Sequence, residues 1–148
     1  MAPPEGVVEQ PASAEEIVRL FAVYREHTWD AGLRERSIDA RYCTTFDAGL
    51  TLAKIAVRAH GWRVKGSHDS RRTLIALCSA IIGVDAREFT VHLERARRKR
   101  NRATYDEVGT IPQTELDELR SAVDAFERTL LRWLKCNHPE LLESESLE

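Results

Sequence analysis

Apolar residues recur along this chain at helical spacing in five separate stretches, and nowhere in sustained strand alternation. Ser13-Ala-Glu-Glu16 has the form of a capping box, and Ile17, Leu20, Phe21 and Tyr24 follow it at helical spacing. Ser37 can cap a second helix, with Tyr42, Phe46, Leu50, Ala53 and Val57 on one face and Gly61 at its end. A third, shorter helix runs from about Ser70 to Ile82. Asp85-Ala-Arg-Glu88 is another capping box and opens a fourth helix that ends near Gly109. Beyond the break at Ile111-Pro112, Thr114 can cap a fifth with Leu116, Leu119, Val123, Phe126, Leu130 and Leu134 facing inward. The pattern predicts an all-α fold, an antiparallel up-and-down bundle of four or five helices with essentially no sheet. Helices are expected over 13–30, 37–60, 70–82, 85–107 and 114–136. Residues 1–12 are expected to be a disordered lead-in, 13–138 a single helical domain, and 139–148 a flexible acidic tail.

The second helix has another apolar strip, Ala48, Leu52, Ile55 and Ala59, nearly opposite the first. A helix apolar on two sides is buried on two sides. The strip therefore predicts a two-fold dimer, unless the first or third helix covers it.

With 148 residues, 43% of them hydrophobic, the chain can bury a core as one domain. Its net charge of −2 rules out a generally basic nucleic-acid coat, so any anion recognition has to be local. Cys43, Cys78 and Cys136 lie far apart in apolar helical contexts and read as small buried hydrophobes in a reducing compartment. The start lacks the pattern of a secretory signal and no run reaches membrane-spanning length, so a cytoplasmic protein without membrane contact is expected.

Charge is concentrated at one place. Between Arg95 and Arg102 six of eight residues are cationic, inside a helical segment. Phe89, Leu93, Ala96 and Ala103 share one stripe of that helix, and Arg100 falls within it. A core-facing arginine needs partners or lines a cavity, because an unpaired buried cation is strongly unfavourable. Candidate partners on the second helix are Asp39, Asp47 and Tyr42. Arg87, Glu94, Arg98, Asn101 and Tyr105 form a separate polar stripe, which places Tyr105 beside a solvent groove. Arg100 suits a phosphate, since its guanidinium is a fixed fork of donors that stays charged. It equally suits a structural ion pair, and the spacing leaves both open. Arg98, Asn101 and Arg102 are further phosphate candidates. So are Lys65 and His68 in a polar loop from Gly61 to Asp69, where a titrating ring could also act as a base. The five histidines show no metal-ligand spacing and no glycine-rich phosphate loop is present, so no metal and no cofactor are expected.

Three segments together resemble the HEPN family of nucleotide-binding helical domains. Arg41-Tyr42-Cys-Thr-Thr-Phe46-Asp-Ala-Gly-Leu50 is similar to the family's second helix. Lys65-Gly-Ser-His68 is similar to the loop that follows. Arg100-Asn101-Arg-Ala103-Thr-Tyr105-Asp106 is similar to the signature near the end of the fourth helix. The resemblance spans about 37–106 and implies nucleotide or RNA binding, usually in dimers that bring two motifs into one cleft. It also implies association with small nucleotidyltransferases in toxin–antitoxin pairs. Ribonuclease members carry a histidine a few residues after the arginine; here that position holds Tyr105. A phenol, with an ordinary pKa of about 10, is a poor base at pH 7. The expectation is a dimeric HEPN-like binder of nucleotide or RNA with weak or no nuclease activity. The alternatives are an active metal-independent RNA endonuclease, with Arg100 and Tyr105 catalytic, and a purely structural interaction partner.

Overall fold

A computed structural model describes residues 2–66, 70–105 and 111–143, with the side chains of 102–105 also outside that description. The protein is mainly α-helical. Its helices are α1 (Ala14–Ala31), α2 (Ile38–Ala59), α3 (Ser70–Ile82), α4 (Arg87–Tyr105) and α5 (Gln113–Asn137). Ser13 accepts a hydrogen bond from the Glu16 backbone N–H at 3.1 Å, and Ser37 accepts one from Ala40 at 3.1 Å, so both predicted caps close their first turns. Two other starts differ from expectation. A 3-10 turn, Gly83–Ala86, occupies the start expected at Asp85, and α5 begins behind Pro112 rather than at Thr114. Pro112 sits at the N-cap with its φ already fixed and offers no side-chain acceptor; its carbonyl accepts from the backbone N–H groups of Glu115 and Leu116 at 3.1 and 3.3 Å.

The core lies where α2 meets α1, α4 and α5. Gly49 makes the approach to α4 and α5 possible: a Cβ there would stand 2.6 Å from Leu93 Cδ2 and 3.1 Å from Val123 Cγ2. Beneath that contact Phe89 of α4 and Phe126 of α5 stack with ring centroids 3.8 Å apart.

The second apolar strip of α2 is covered within the chain. Ala48, Leu52 and Ile55 are fully buried and Ala59 nearly so. Arg41 and Arg58, at the two ends of this strip, reach across to Ala31 and Glu16 of α1. α1 therefore runs antiparallel to α2 along the strip, which leaves no apolar surface there for a second copy.

The expected disordered lead-in needs correction, and one small ribbon joins the helices outside the main core. Val7–Glu9 (β1) pairs antiparallel with Trp62–Val64 (β2), in the stretch read as a polar loop. Val7 and Trp62 are buried with Val57 and Leu77, in a small apolar cluster apart from the main core. Gly61, at φ +95°, turns the chain out of α2 into β2, a conformation that L side chains rarely adopt. The acidic tail is also anchored at its start. Pro139–Leu142 forms a 3-10 turn, and Leu141 is buried in the main core. Residues 144–148 lie outside the described residues.

Candidate functional site

On α2, Asp39, Cys43 and Asp47 are four residues apart and share a stripe that the packed core leaves half-buried. The guanidinium of Arg100 comes to this stripe from α4. Its Nη1 donates to Asp47 Oδ1, and its central carbon stands 5.6 Å from the centre of the Phe46 ring. The pair is neither sealed nor free: the side chains are 22% exposed for Arg100 and 32% for Asp47. Burial raises the pKa of the Cys43 thiol. Arg100 opposes that rise, Asp47 and Asp39 add to it, and Arg71 at the start of α3 opposes it. Two acids and two arginines thus surround a thiol that keeps its proton at neutral pH.

The rest of the cationic run is largely tied to acids. Arg97 Nη2 donates to Glu94 at 2.6 Å, and Arg98 Nε lies 3.4 Å from the same carboxylate while remaining 71% exposed. The Arg97 hydrogen bond, ahead of the field of Arg97 and Arg98, holds the Glu94 carboxyl below its ordinary value. Lys99 pairs with Glu115 of α5. Arg95 is exposed and lines a small hollow with Tyr42, His92, Glu115 and Glu118. Among the described residues, Glu94, Glu115 and Asp47 pair with four of the five cations from Arg95 to Arg100, and Arg95 stands beside Glu115 and Glu118.

The proposed partners of Arg100 separate. Asp47 is in contact, and Asp39 shares its stripe. Tyr42 faces the Arg95 hollow instead, because five helical positions rotate it about 140° from Asp47. Burial, with Glu115 adding to it, pushes the Tyr42 phenol up to about 12. Asn101 is exposed on the last turns of α4. The side chains of Arg102 and Tyr105, and the whole of His68, lie outside the described residues. Lys65 is exposed at the end of the ribbon, where its backbone N–H donates to Gly6 O at 2.9 Å.

Sequence reasoning missed the most buried cation. Arg58 is 2% exposed, and its guanidinium meets Glu16 twice, at 2.7 Å through Nε and 2.9 Å through Nη2. Nη1 also donates to the carbonyls of Gln10 and Trp62, and Nη2 to that of Pro11. These contacts lock β1 and β2 onto α2, so Arg58 is structural. A second missed feature is a groove of about 570 Å³ between α4 and α5, walled by Asp85, Glu88, Asp117 and Glu118 with Phe89 and Phe126 in its lining. Among the described residues no group of His, Cys, Asp and Glu is arranged to hold a metal ion, and no helix is long and apolar enough to cross a membrane. No protein-family model, no curated protein and no solved structure matches this chain.

Proposed function

We propose that the chain binds the phosphate of a nucleotide or RNA through the C-terminal half of α4, as a HEPN-like protein with weak or no nuclease activity. The setting of Arg100 carries this reading. Its planar fork is held at the surface between Asp47 and Phe46, with exposed Arg95, Arg98 and Asn101 on the same helix. Such a fork matches two phosphate oxygens and stays charged at any working pH. The run of cations along α4 draws in a polyanion and makes binding weaken as salt rises. Asp47 orients the guanidinium in advance, which reduces what a ligand spends on ordering it. Tyr105 in place of a histidine argues for binding without efficient cleavage. With the resemblance come a homodimer, a nucleotidyltransferase partner in a toxin–antitoxin pair, and a cytoplasmic site of action.

Fluorescence anisotropy with a labelled single-stranded RNA and a labelled nucleoside triphosphate, in EDTA and at two salt concentrations, tests the reading. A rise that weakens with salt, over RNA that stays intact on a gel, is the expected result. No rise with either ligand would leave the ion-paired α4 as a structural feature and overturn the reading. RNA cleaved in EDTA by the wild type and spared by Tyr105→Phe would establish the endonuclease alternative instead.

A further inference from the structure

The groove between α4 and α5 combines an apolar lining with acidic rims. The stacked rings of Phe89 and Phe126 line it together with Ala122 and Ala125. Asp85 and Glu88 stand on one side and Asp117 and Glu118 on the other, and all four are exposed. Among the described residues none of these four acids is in an ion pair, and Asp117 accepts from the Gln113 amide at 2.9 Å. Val84, next to Asp85 in the chain, leaves an apolar side chain 72% exposed.

Cations bound the groove and do not line it. Arg132 lies one turn beyond Thr129 at one end, where its Nη2 donates to the Thr129 hydroxyl at 3.4 Å. Arg95 lies one turn beyond His92 at the other, in the adjoining hollow with Glu115 and Glu118. Arg87 is turned about 150° around α4 from the midline of Glu88, Phe89 and His92.

We propose that this groove receives a basic amphipathic helix of a second protein, about three turns long. The α5 wall from Asp117 to Thr129 runs about 18 Å at a rise of 1.5 Å per residue, which sets that length. Apolar side chains on one face of the incoming helix settle against Phe89, Phe126 and the alanines, and lysine or arginine on its flanks meets the acids. The short side chains of Ser121, Ala122 and Ala125 let its backbone come close to α5. Charge selects the partner: like charges gathered along the rims repel one another and an acidic helix, and attract a basic one. Arg100 lies eight residues beyond His92, about 12 Å along the axis of α4. The groove is thus separate from the Arg100 site, and the inference does not rest on the RNA reading.

A fluorescein-labelled synthetic helix of four turns, with leucine along one face and lysine on both flanks, serves as the probe. Its anisotropy is read against the purified chain at low salt, with no nucleic acid present. The probe should bind, and the same peptide with glutamate for lysine should not. Glu88→Lys and Glu118→Lys should each weaken binding about tenfold or more by placing like charge on the rims. Ala125→Gln adds bulk without charge at an exposed helical position, and should weaken binding severalfold at an unchanged melting temperature. Glu35→Lys makes the same charge change at an exposed site between α1 and α2, and should leave affinity as it was. A wild type that does not bind the basic probe would overturn the proposal. So would a loss of affinity as large in Glu35→Lys as in Glu88→Lys, or an affinity indifferent to Ala125→Gln.

Discussion

Arg58 and Arg100 both meet a carboxylate across a helix contact, and they do so under opposite conditions. Arg58 is sealed at 2% exposure, with Glu16 and three backbone carbonyls around one guanidinium. Arg100 keeps 22% of its surface in water and sits on the rim of the core, over Phe46. A sealed arginine whose partners include the carbonyls of the chain's own β-ribbon ties segments together. One held at the rim keeps part of its guanidinium open to water. The same residue type is thus sealed into the fold at one end of α2 and half-open nearer the other.

The largest expected effect is on the sealed pair. Arg58→Met leaves three carbonyls without their donor and Glu16 with Arg63 alone, at 3.2 Å, and removing one partner of a buried pair costs about 3–5 kcal/mol. Chemical denaturation measures it; a loss below about 1 kcal/mol would show that the pair is not the anchor of the ribbon. Acid sharpens the comparison next. The Arg58 hydrogen bond, against the opposing effect of burial, holds the Glu16 carboxyl below its ordinary value of 4.5. Its folded-state pKa lies under the unfolded one, so the pair's stabilisation is whole above about pH 4.5. It is lost as pH falls through the folded-state value. Glu94 shifts in the same direction, so wild type must be compared with Glu16→Gln, whose stability should fall less steeply on acidification. The smallest stability effect belongs to the rim. Arg100→Met should change unfolding free energy by about 1 kcal/mol or less, as for other part-exposed ion pairs.

The helices were legible because each carries several turns of apolar repeat, and Ser13 and Ser37 cap where their side chains predict. The ribbon was not. Three residues of alternation, Val7 to Glu9, are too few to stand out, and their partner strand begins some 55 positions later. Glu16 reads locally as a capping residue, which hides its bond to Arg58, 42 positions on. The second strip of α2 illustrates the opposite error. Periodicity states that a face is buried but not by what, and Arg41 and Arg58 at its ends bind α1 of the same chain. For Arg100 the stripe position leads to α2, yet only packing selects Asp47 and turns Tyr42 away.

The central claim is that Arg100 recognises phosphate through its planar fork rather than through charge alone. The most direct measurement is the affinity of labelled single-stranded RNA for wild type and for Arg100→Lys, with melting temperatures taken on the same samples. The lysine keeps the charge but offers no bidentate pair. RNA binding should therefore weaken about tenfold or more while the melting temperature stays within a few degrees. Equal affinity in the two proteins would contradict the account and reduce Arg100 to one more ion-paired cation on α4.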